Sequence, residues 1–118
     1  MIKLKRAYDR YSTSDGARFL VERLWPRGVR KAELPLTGWL KDVAPSTQLR
    51  RWFGHDPRKW PEFRRRYFAE LRKNASALEP LLAAARNRPT TLIYSARDTE
   101  HNAAIALRDH LVRKLRAK

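Results

Sequence analysis

Three segments of the chain have the pattern of β-strands, and apolar and polar residues alternate at the start of the first. The first segment runs from Ile2 to Tyr8, and the second runs from Arg18 to Leu24, just before Pro26. The third segment, Thr90 to Ala96, is apolar and rich in β-branched residues, as is typical of a buried strand. The pattern therefore predicts three strands, of which the last lies buried in the centre of a sheet.

Four other segments carry apolar residues at helical spacing. Ser46 has the character of an N-cap for a first short helix, and the spacing predicts further helices over 56–73 and 76–86. A final helix follows the third strand, with Asp98 or Thr99 as its predicted cap. The residues between the second strand and the first helix show no regular pattern.

The order of these elements is strand, strand, several helices, strand, helix. A buried strand with helices before and after it favours an α/β fold with parallel strands. We therefore expect a small three-layer sandwich, in which helices flank a short, mostly parallel central sheet. No repeat or linker divides the chain, so residues 1–118 are expected to form a single domain.

Composition narrows the classes of protein that this chain can belong to. It contains no cysteine, which excludes disulfides, thiolate nucleophiles and cysteine-ligated metals. Its three histidines lack zinc-ligand spacing, and no glycine-rich nucleotide loop is present, so we expect no metal and no cofactor. No window is apolar enough to cross a membrane, and the first residues do not resemble a secretion signal. We expect a cytoplasmic protein without membrane attachment.

The charge is strongly positive, with 27 Lys and Arg against 12 Asp and Glu and a formal net charge of +15. Such a balance is typical of proteins that bind phosphate, either on nucleic acid or on small anions. The basic stretch 50–73 includes Arg64, Arg65 and Arg66, which are candidates for contacts with nucleic-acid phosphates. A bland explanation is also open, because base composition of the genome and helix-dipole compensation both enrich basic residues.

Two segments carry polar side chains directly after predicted strands. They are residues 23–28 after the second strand and residues 95–102 after the third. Ligands of open α/β sheets bind beyond the carboxyl ends of strands, and a helix N-terminus there favours an anion. Arg23, Arg27 and Arg97 are candidates for holding a carboxylate or phosphate in bidentate fashion. Trp25 offers a flat face for stacking, although tryptophans more often belong to the core.

His101 is the side chain in these segments best suited to proton transfer near neutral pH, although a structural role is equally open. Asp98 is better explained as a helix cap than as a catalytic acid. Ser95 lacks the flanking glycines of a nucleophile elbow. The common enzyme signatures are therefore absent, and His101 is the catalytic residue that we predict if the protein is an enzyme.

Several strings of the chain resemble a known family across nearly its whole length. They are Asp15-Gly16-Ala17-Arg18, Val21-Glu22-Arg23-Leu24-Trp25-Pro26-Arg27-Gly28, Ala44-Pro45-Ser46, His55-Asp56-Pro57 and Thr91-Leu92-Ile93-Tyr94-Ser95-Ala96-Arg97-Asp98 with His101-Asn102. These strings resemble the YeaO-like proteins of the domain-of-unknown-function 488 family. The resemblance implies a small bacterial α/β protein and brings no catalytic residue with it. Other branches place a cysteine and a histidine after the last strand, whereas this chain has Ser95 and Ala96 there.

The leading hypothesis is a pocket for a small phosphorylated or carboxylated molecule, with a nucleotide as the first class to consider. Its predicted ligand-binding residues are Arg23, Trp25, Arg27, Gly28, Ser95, Arg97 and Asn102. The alternative is a nucleic-acid-binding protein that uses the basic stretch 50–73, with Arg64, Arg65 and Arg66 on the phosphates.

Overall fold

The computed structural model describes residues 1–117 and contains a four-stranded, fully parallel sheet with four α-helices. The strands are β1 (Ile2–Arg6), β2 (Ala17–Leu20), β3 (Gly38–Trp39) and β4 (Thr90–Tyr94), in the spatial order β1-β4-β2-β3. The helices are α1 (Thr47–Phe53), α2 (Trp60–Lys73), α3 (Glu79–Asn87) and α4 (Ala103–Arg116). The predicted α/β sandwich with a parallel central sheet is confirmed.

The central strand is β4, and its burial explains its composition. Leu4 of β1 lies opposite Leu92, while Phe19 of β2 lies opposite Leu92 on the other side. All five residues of β4 are buried, because strands flank it and layers cover both of its faces. An apolar β-rich segment can occupy that position, whereas the half-exposed β1 alternates with Lys3 and Lys5.

The two faces of the sheet are covered differently. All four helices pack on one face, where side chains such as Phe63, Tyr67 and Leu107 meet Phe19 and Leu92 in the larger core. The opposite face is covered by the irregular segment 25–37, which brings its own apolar side chains. A smaller second core therefore forms there; it contains Ala7, Leu20, Leu34 and Ile93, with Trp25, Val29, Leu36 and Trp39 packed around them.

Some boundaries differ from those predicted. Strand β2 ends at Leu20 rather than Leu24, and the two-residue β3 falls in a region that shows no regular pattern in the sequence. The third helix begins at Glu79, after a 3-10 turn, rather than at residue 76. Ser46 does cap α1, since its hydroxyl oxygen accepts a hydrogen bond from the backbone N–H of Leu49 at 3.1 Å.

A buried ion pair joins the start of β2 to β1. Asp15 is 4% exposed and Arg18 is 3% exposed, and the guanidinium of Arg18 contacts the Asp15 carboxylate directly. Lys5 Nζ lies 3.0 Å from the same carboxylate, and the backbone N–H of Ser12 donates to it at 3.1 Å. Burial opposes ionisation of Asp15, but these hydrogen bonds outweigh it and lower the pKa of the carboxyl group. The pair is therefore charged at neutral pH.

Gly16 stands where β2 meets the loop before β4. Its φ is +66°, and a Cβ atom built there would lie 2.1 Å from the carbonyl oxygen of Pro89. The neighbouring N–H of Ala17 donates to that same oxygen at 2.9 Å. Only glycine allows this approach of the two backbones, which sets the register of β2 against β4.

Candidate functional site

A cavity of about 600 Å³ opens beyond the carboxyl ends of β2 and β4. Val21 and Glu22 follow β2 into its wall, and Ser95 and Ala96 follow β4. The first residues of α4, Ala103 and Ala104, close another side, so the N-terminus of this 14-residue helix faces the cavity. This is the place where open α/β sheets bind ligands, and a helix N-terminus adds a partial positive charge.

Aromatic side chains form the apolar floor of the cavity. Phe53 of α1 and Phe63 of α2 stack with ring centroids 4.3 Å apart, and Tyr94 ends β4 beside them. Burial raises the pKa of Tyr94, so its hydroxyl stays neutral at physiological pH. The floor is hydrophobic and firmly packed, which suits the uncharged part of a ligand.

Glu22 and Ser95 tie together the two loops that leave the sheet. The Ser95 hydroxyl donates to a Glu22 oxygen at 2.7 Å, and its backbone N–H donates to the other oxygen at 3.2 Å. The indole N–H of Trp39 donates to the carbonyl of Glu22 at 2.6 Å. Ser95 is therefore a positioning residue in this conformation, with its hydroxyl proton committed to Glu22.

Three arginines, Arg23, Arg50 and Arg97, line the cavity. Arg23 donates from Nε to the carbonyl of Pro45 at 3.2 Å and from Nη2 to that of Ala44 at 3.5 Å. Within residues 1–117, none of the three arginines forms a salt bridge. A guanidinium has five N–H donors, so even Arg23 keeps donors for a ligand.

Asn102 and Asp98 organise the loop that leads into α4. The side-chain oxygen of Asn102 accepts from the backbone N–H of Ile105 at 3.0 Å, which makes Asn102 the N-cap of α4 in place of the predicted Asp98 or Thr99. Its side-chain nitrogen donates to the Asp98 carbonyl at 2.9 Å. Asn102 is 4% exposed and lines the cavity with both polar atoms engaged.

The carboxylate of Asp98 closes a turn instead of capping the helix. It accepts from the backbone N–H of Glu100 at 2.8 Å and from that of His101 at 3.0 Å. The N–H of Glu100 is the main reason that the pKa of Asp98 lies below its ordinary value, and the His101 ring adds to it. Asp98 is thus an anion on the cavity wall. The wall therefore carries two carboxylates, Asp98 and Glu22, together with the three arginines.

His101 lies at the edge of this site and outside the cavity wall. Its Nδ1 is 3.0 Å from an Asp98 oxygen, and its ring meets Trp60 edge-on with centroids 5.6 Å apart. Because an ionised carboxylate can only accept hydrogen bonds, Nδ1 is the protonated ring nitrogen in this contact and donates a hydrogen bond to Asp98. Proton transfer by His101 to a ligand in the cavity stays a prediction, and the absence of His101 from the cavity lining does not favour it.

Three predicted ligand-binding residues lie away from the cavity. Trp25 packs edge-on against Trp39 at 5.4 Å in the second core, where its indole N–H is bonded to the Val29 carbonyl. Arg27 is exposed, with its carbonyl accepting from the Tyr8 hydroxyl at 3.0 Å, and Gly28 occupies a turn with φ of +77°. The early end of β2 turns this segment to the opposite face. A ligand-binding role for Trp25, Arg27 and Gly28 stays a prediction.

Other cavity residues were not predicted as ligand contacts from the sequence, among them Glu22, Arg50 and His55. His55 has φ of +58° and follows Gly54 at +56°, an unusual pair of left-handed residues that turns the chain after α1 toward the cavity. Gly54, directly after the apolar positions Leu49, Trp52 and Phe53, is the signal that the sequence offers for this turn. No sequence signal separates Arg50 from the other basic residues of the stretch 50–73, since only the fold brings it to the cavity.

The arginines of the nucleic-acid alternative have partners within the protein. Arg65 and Arg66 pair with Glu62 at 2.6 Å and 2.7 Å, and these two guanidiniums lower the pKa of Glu62 to about 2. Arg64 pairs with Asp109 of α4 at 3.0 Å. Much of the positive charge of this cluster is thus compensated locally.

The described part of the chain also shows two absences. No group of three or more His, Asp or Glu side chains in residues 1–117 is arranged to hold a metal ion. None of the helices over the same residues has the length and hydropathy needed to cross a bilayer.

Comparison with known proteins identifies the relatives of this chain. It is 44% identical over 110 residues to the uncharacterised protein YeaO of Escherichia coli, covering 93% of this chain and 96% of that protein. An uncharacterised protein of Mycobacterium tuberculosis is 42% identical over 78 residues, 66% of each chain. No solved structure matches significantly. The model of a family described as the "inactive DUF488-N3 subclade" matches residues 1–118, and the chain therefore belongs to that family.

Proposed function

We propose that this protein binds a small anionic molecule in the cavity between β2, β4 and the N-terminus of α4. The ligand class is a phosphorylated or carboxylated metabolite, with mononucleotides as the first members to test. The observation that carries the proposal is the set of three arginines, Arg23, Arg50 and Arg97, which line an apolar-floored cavity without forming salt bridges in residues 1–117.

The size and composition of the cavity support this ligand class. Its volume of about 600 Å³ falls within the roughly 300–1,000 Å³ of small-molecule sites. Phosphate and carboxylate oxygens match the guanidinium fork, and the helix N-terminus favours the same charge. Glu22 and Asp98 would repel a ligand that presented negative charge on every side. They favour a molecule with one anionic end and a neutral remainder that rests on Phe53 and Phe63.

Binding without turnover is the form of this proposal that the site supports best. The family model is described as inactive, Ser95 already donates its hydroxyl proton to Glu22, and His101 stands outside the cavity wall. Neither the Ser95 hydroxyl nor the His101 ring is therefore positioned to exchange a proton with a ligand in the cavity. A role as a sensor or carrier of the anion fits such a site.

The experiment is a thermal-shift panel followed by calorimetric titration. The panel holds inorganic phosphate, pyrophosphate, mononucleotides, sugar phosphates and dicarboxylates, each at two salt concentrations. A ligand at 100 times its Kd stabilises the fold by about 2.7 kcal/mol, which raises Tm by several degrees. The Kd of any hit is then compared across variants that keep the fold.

Two matched pairs of variants make the test specific. Arg50→Ala and Arg97→Ala each remove a cavity arginine, and we expect each to raise Kd about tenfold to hundredfold, since a hydrogen bond to a charged group is worth about 1.5–3 kcal/mol. Arg51→Ala on the same helix as Arg50 and Arg86→Ala on α3 remove exposed arginines outside the cavity and should leave Kd unchanged. Equal effects of the four changes, or no hit in the panel, would refute the proposal.

A further inference from the structure

The helices α2 and α4 run side by side in the same direction. Trp60 meets His101 at their beginnings, Arg64 pairs with Asp109 further along, and Phe68 packs against His110 with ring centroids 5.6 Å apart. Both helices therefore end at the same side of the molecule. Because α4 begins at the cavity, that side lies toward the amino ends of the strands, away from the proposed anion site.

The last turns of these two helices form a cluster that we name the α2–α4 basic patch. Its members are Arg72, Lys73, Arg113, Lys114 and Arg116. All are exposed, and within residues 1–117 none of them forms a salt bridge. This separates the patch from Arg64, Arg65 and Arg66, each of which is paired with Glu62 or Asp109.

Three patch residues converge on one buried side chain. His110 is 7% exposed, and its Nε2 has no hydrogen-bond partner in the described chain. Burial, and then the charges of Lys114, Arg72 and Arg113, hold the pKa of His110 below its ordinary value. Arg72 follows Phe68 by one helical turn, and Lys114 follows His110 by one turn. The guanidinium of Arg113 lies over the Phe68 ring, 5.5 Å from its centroid, so the three cations lie around the contact between Phe68 and His110.

Compensation of the helix dipoles does not account for so much charge. Each helix C-terminus carries about half a negative charge, so two termini balance about one cation. The patch holds five, which leaves roughly four positive charges without a counterpart. Such a surplus is a cost in repulsion that an external polyanion would relieve.

We propose that the α2–α4 basic patch binds the phosphate backbone of nucleic acid, independently of the cavity. Three of its five members are arginines, whose guanidinium groups bind phosphate in bidentate fashion. An anionic membrane is a less suitable partner, because peripheral helices insert apolar side chains into the bilayer. The large apolar side chains that are exposed, Met1, Tyr8, Tyr11 and Leu24, all lie outside α2 and α4.

The test measures binding of a fluorescent duplex of about 20 base pairs by anisotropy over a series of salt concentrations. The patch variant combines Arg72→Gln, Arg113→Gln and Lys114→Gln. The control variant combines Arg10→Gln, Lys31→Gln and Arg51→Gln. These changes remove the same number of charges from three exposed side chains that lie outside the patch and form no salt bridge in residues 1–117. Circular dichroism and Tm confirm that both variants fold.

We expect the patch variant to bind at least tenfold more weakly near 0.1 M salt, and the slope of log K against log salt to fall in magnitude by about 2 to 3. The control variant should keep the parental slope within about one. Equal weakening of both variants would overturn the proposal, since it would mean that net charge alone drives association. Binding that ignores salt, or binding to anionic vesicles with none to the duplex, would overturn it as well.

Discussion

The buried carboxylate of Asp15 is the point at which a single change should cost most stability. Asp15→Ala removes the counter-charge of Arg18, which is 3% exposed, and leaves the ammonium of Lys5 without its carboxylate at 3.0 Å. Removing one partner of a buried ion pair costs about 3–5 kcal/mol. We expect a loss of about 3 kcal/mol in the free energy of unfolding, at the lower end of this range. The Arg18 guanidinium is covered by the Tyr11 ring, which is itself half-exposed, so water lies close to the charge.

Urea denaturation followed by circular dichroism measures this loss. Domains are typically stable by about 5–15 kcal/mol, so the midpoint should fall sharply while the m-value stays constant. Glu62→Ala is the matched control, because it too frees two cations, Arg65 and Arg66, but at an exposed site. Its loss should be much smaller, since water and salt already screen that cluster.

A second variant tests the reason for the loss as well as its size. If the penalty comes from the unpaired Arg18 charge, Arg18→Leu in the Asp15→Ala background should recover part of the stability. A loss below about 1 kcal/mol in Asp15→Ala, or no recovery in the double variant, would refute the reasoning from burial.

Three further predictions follow from other features. Gly16→Ala should lower the free energy of unfolding by more than about 2 kcal/mol in urea, because its Cβ would meet the Pro89 carbonyl at 2.1 Å in a glycine conformation. Since the pKa of His110 is lowered by folding, stability should fall as pH drops below about 6.5, and a pH series of Tm values should lose that slope in His110→Phe. Glu70→Ala should lower Tm, because Glu70 accepts from both the backbone N–H and the hydroxyl of Ser46, at 2.8 Å and 2.6 Å.

Features set by neighbouring residues could be predicted from the sequence. The apolar run that forms β4, the apolar stripe of α2 and the Ser46 cap depend on residues a few positions apart, and each is present. The parallel sheet was also predictable, because helices before and after a buried strand leave few other arrangements.

Features that depend on distant contacts could not be predicted. The buried arginine of β2 is Arg18, and its partner Asp15 lies in the turn before the strand. The residues of that turn are polar or glycine, so the sequence predicts a turn there and gives no sign of a buried ion pair. Trp25 was expected at the cavity because β2 was predicted to run to Leu24. Ending the strand at Leu20 places Trp25 on the other face, so four residues at one boundary redistribute the site.

The position of β4 in the sheet has a consequence for how the chain folds during its synthesis. β4 lies between β1 and β2, yet it follows β1 by more than 80 residues. At about 5–20 residues per second, the edge of β1 lacks its neighbour β4 for roughly 4–17 s, and the edge of β2 lacks it for a somewhat shorter time. Until then the sheet cannot close, so a nascent chain stalled before Thr90 presents open strand edges to chaperones or to other nascent chains. For this protein, the sheet is therefore completed only after β4 has been synthesised.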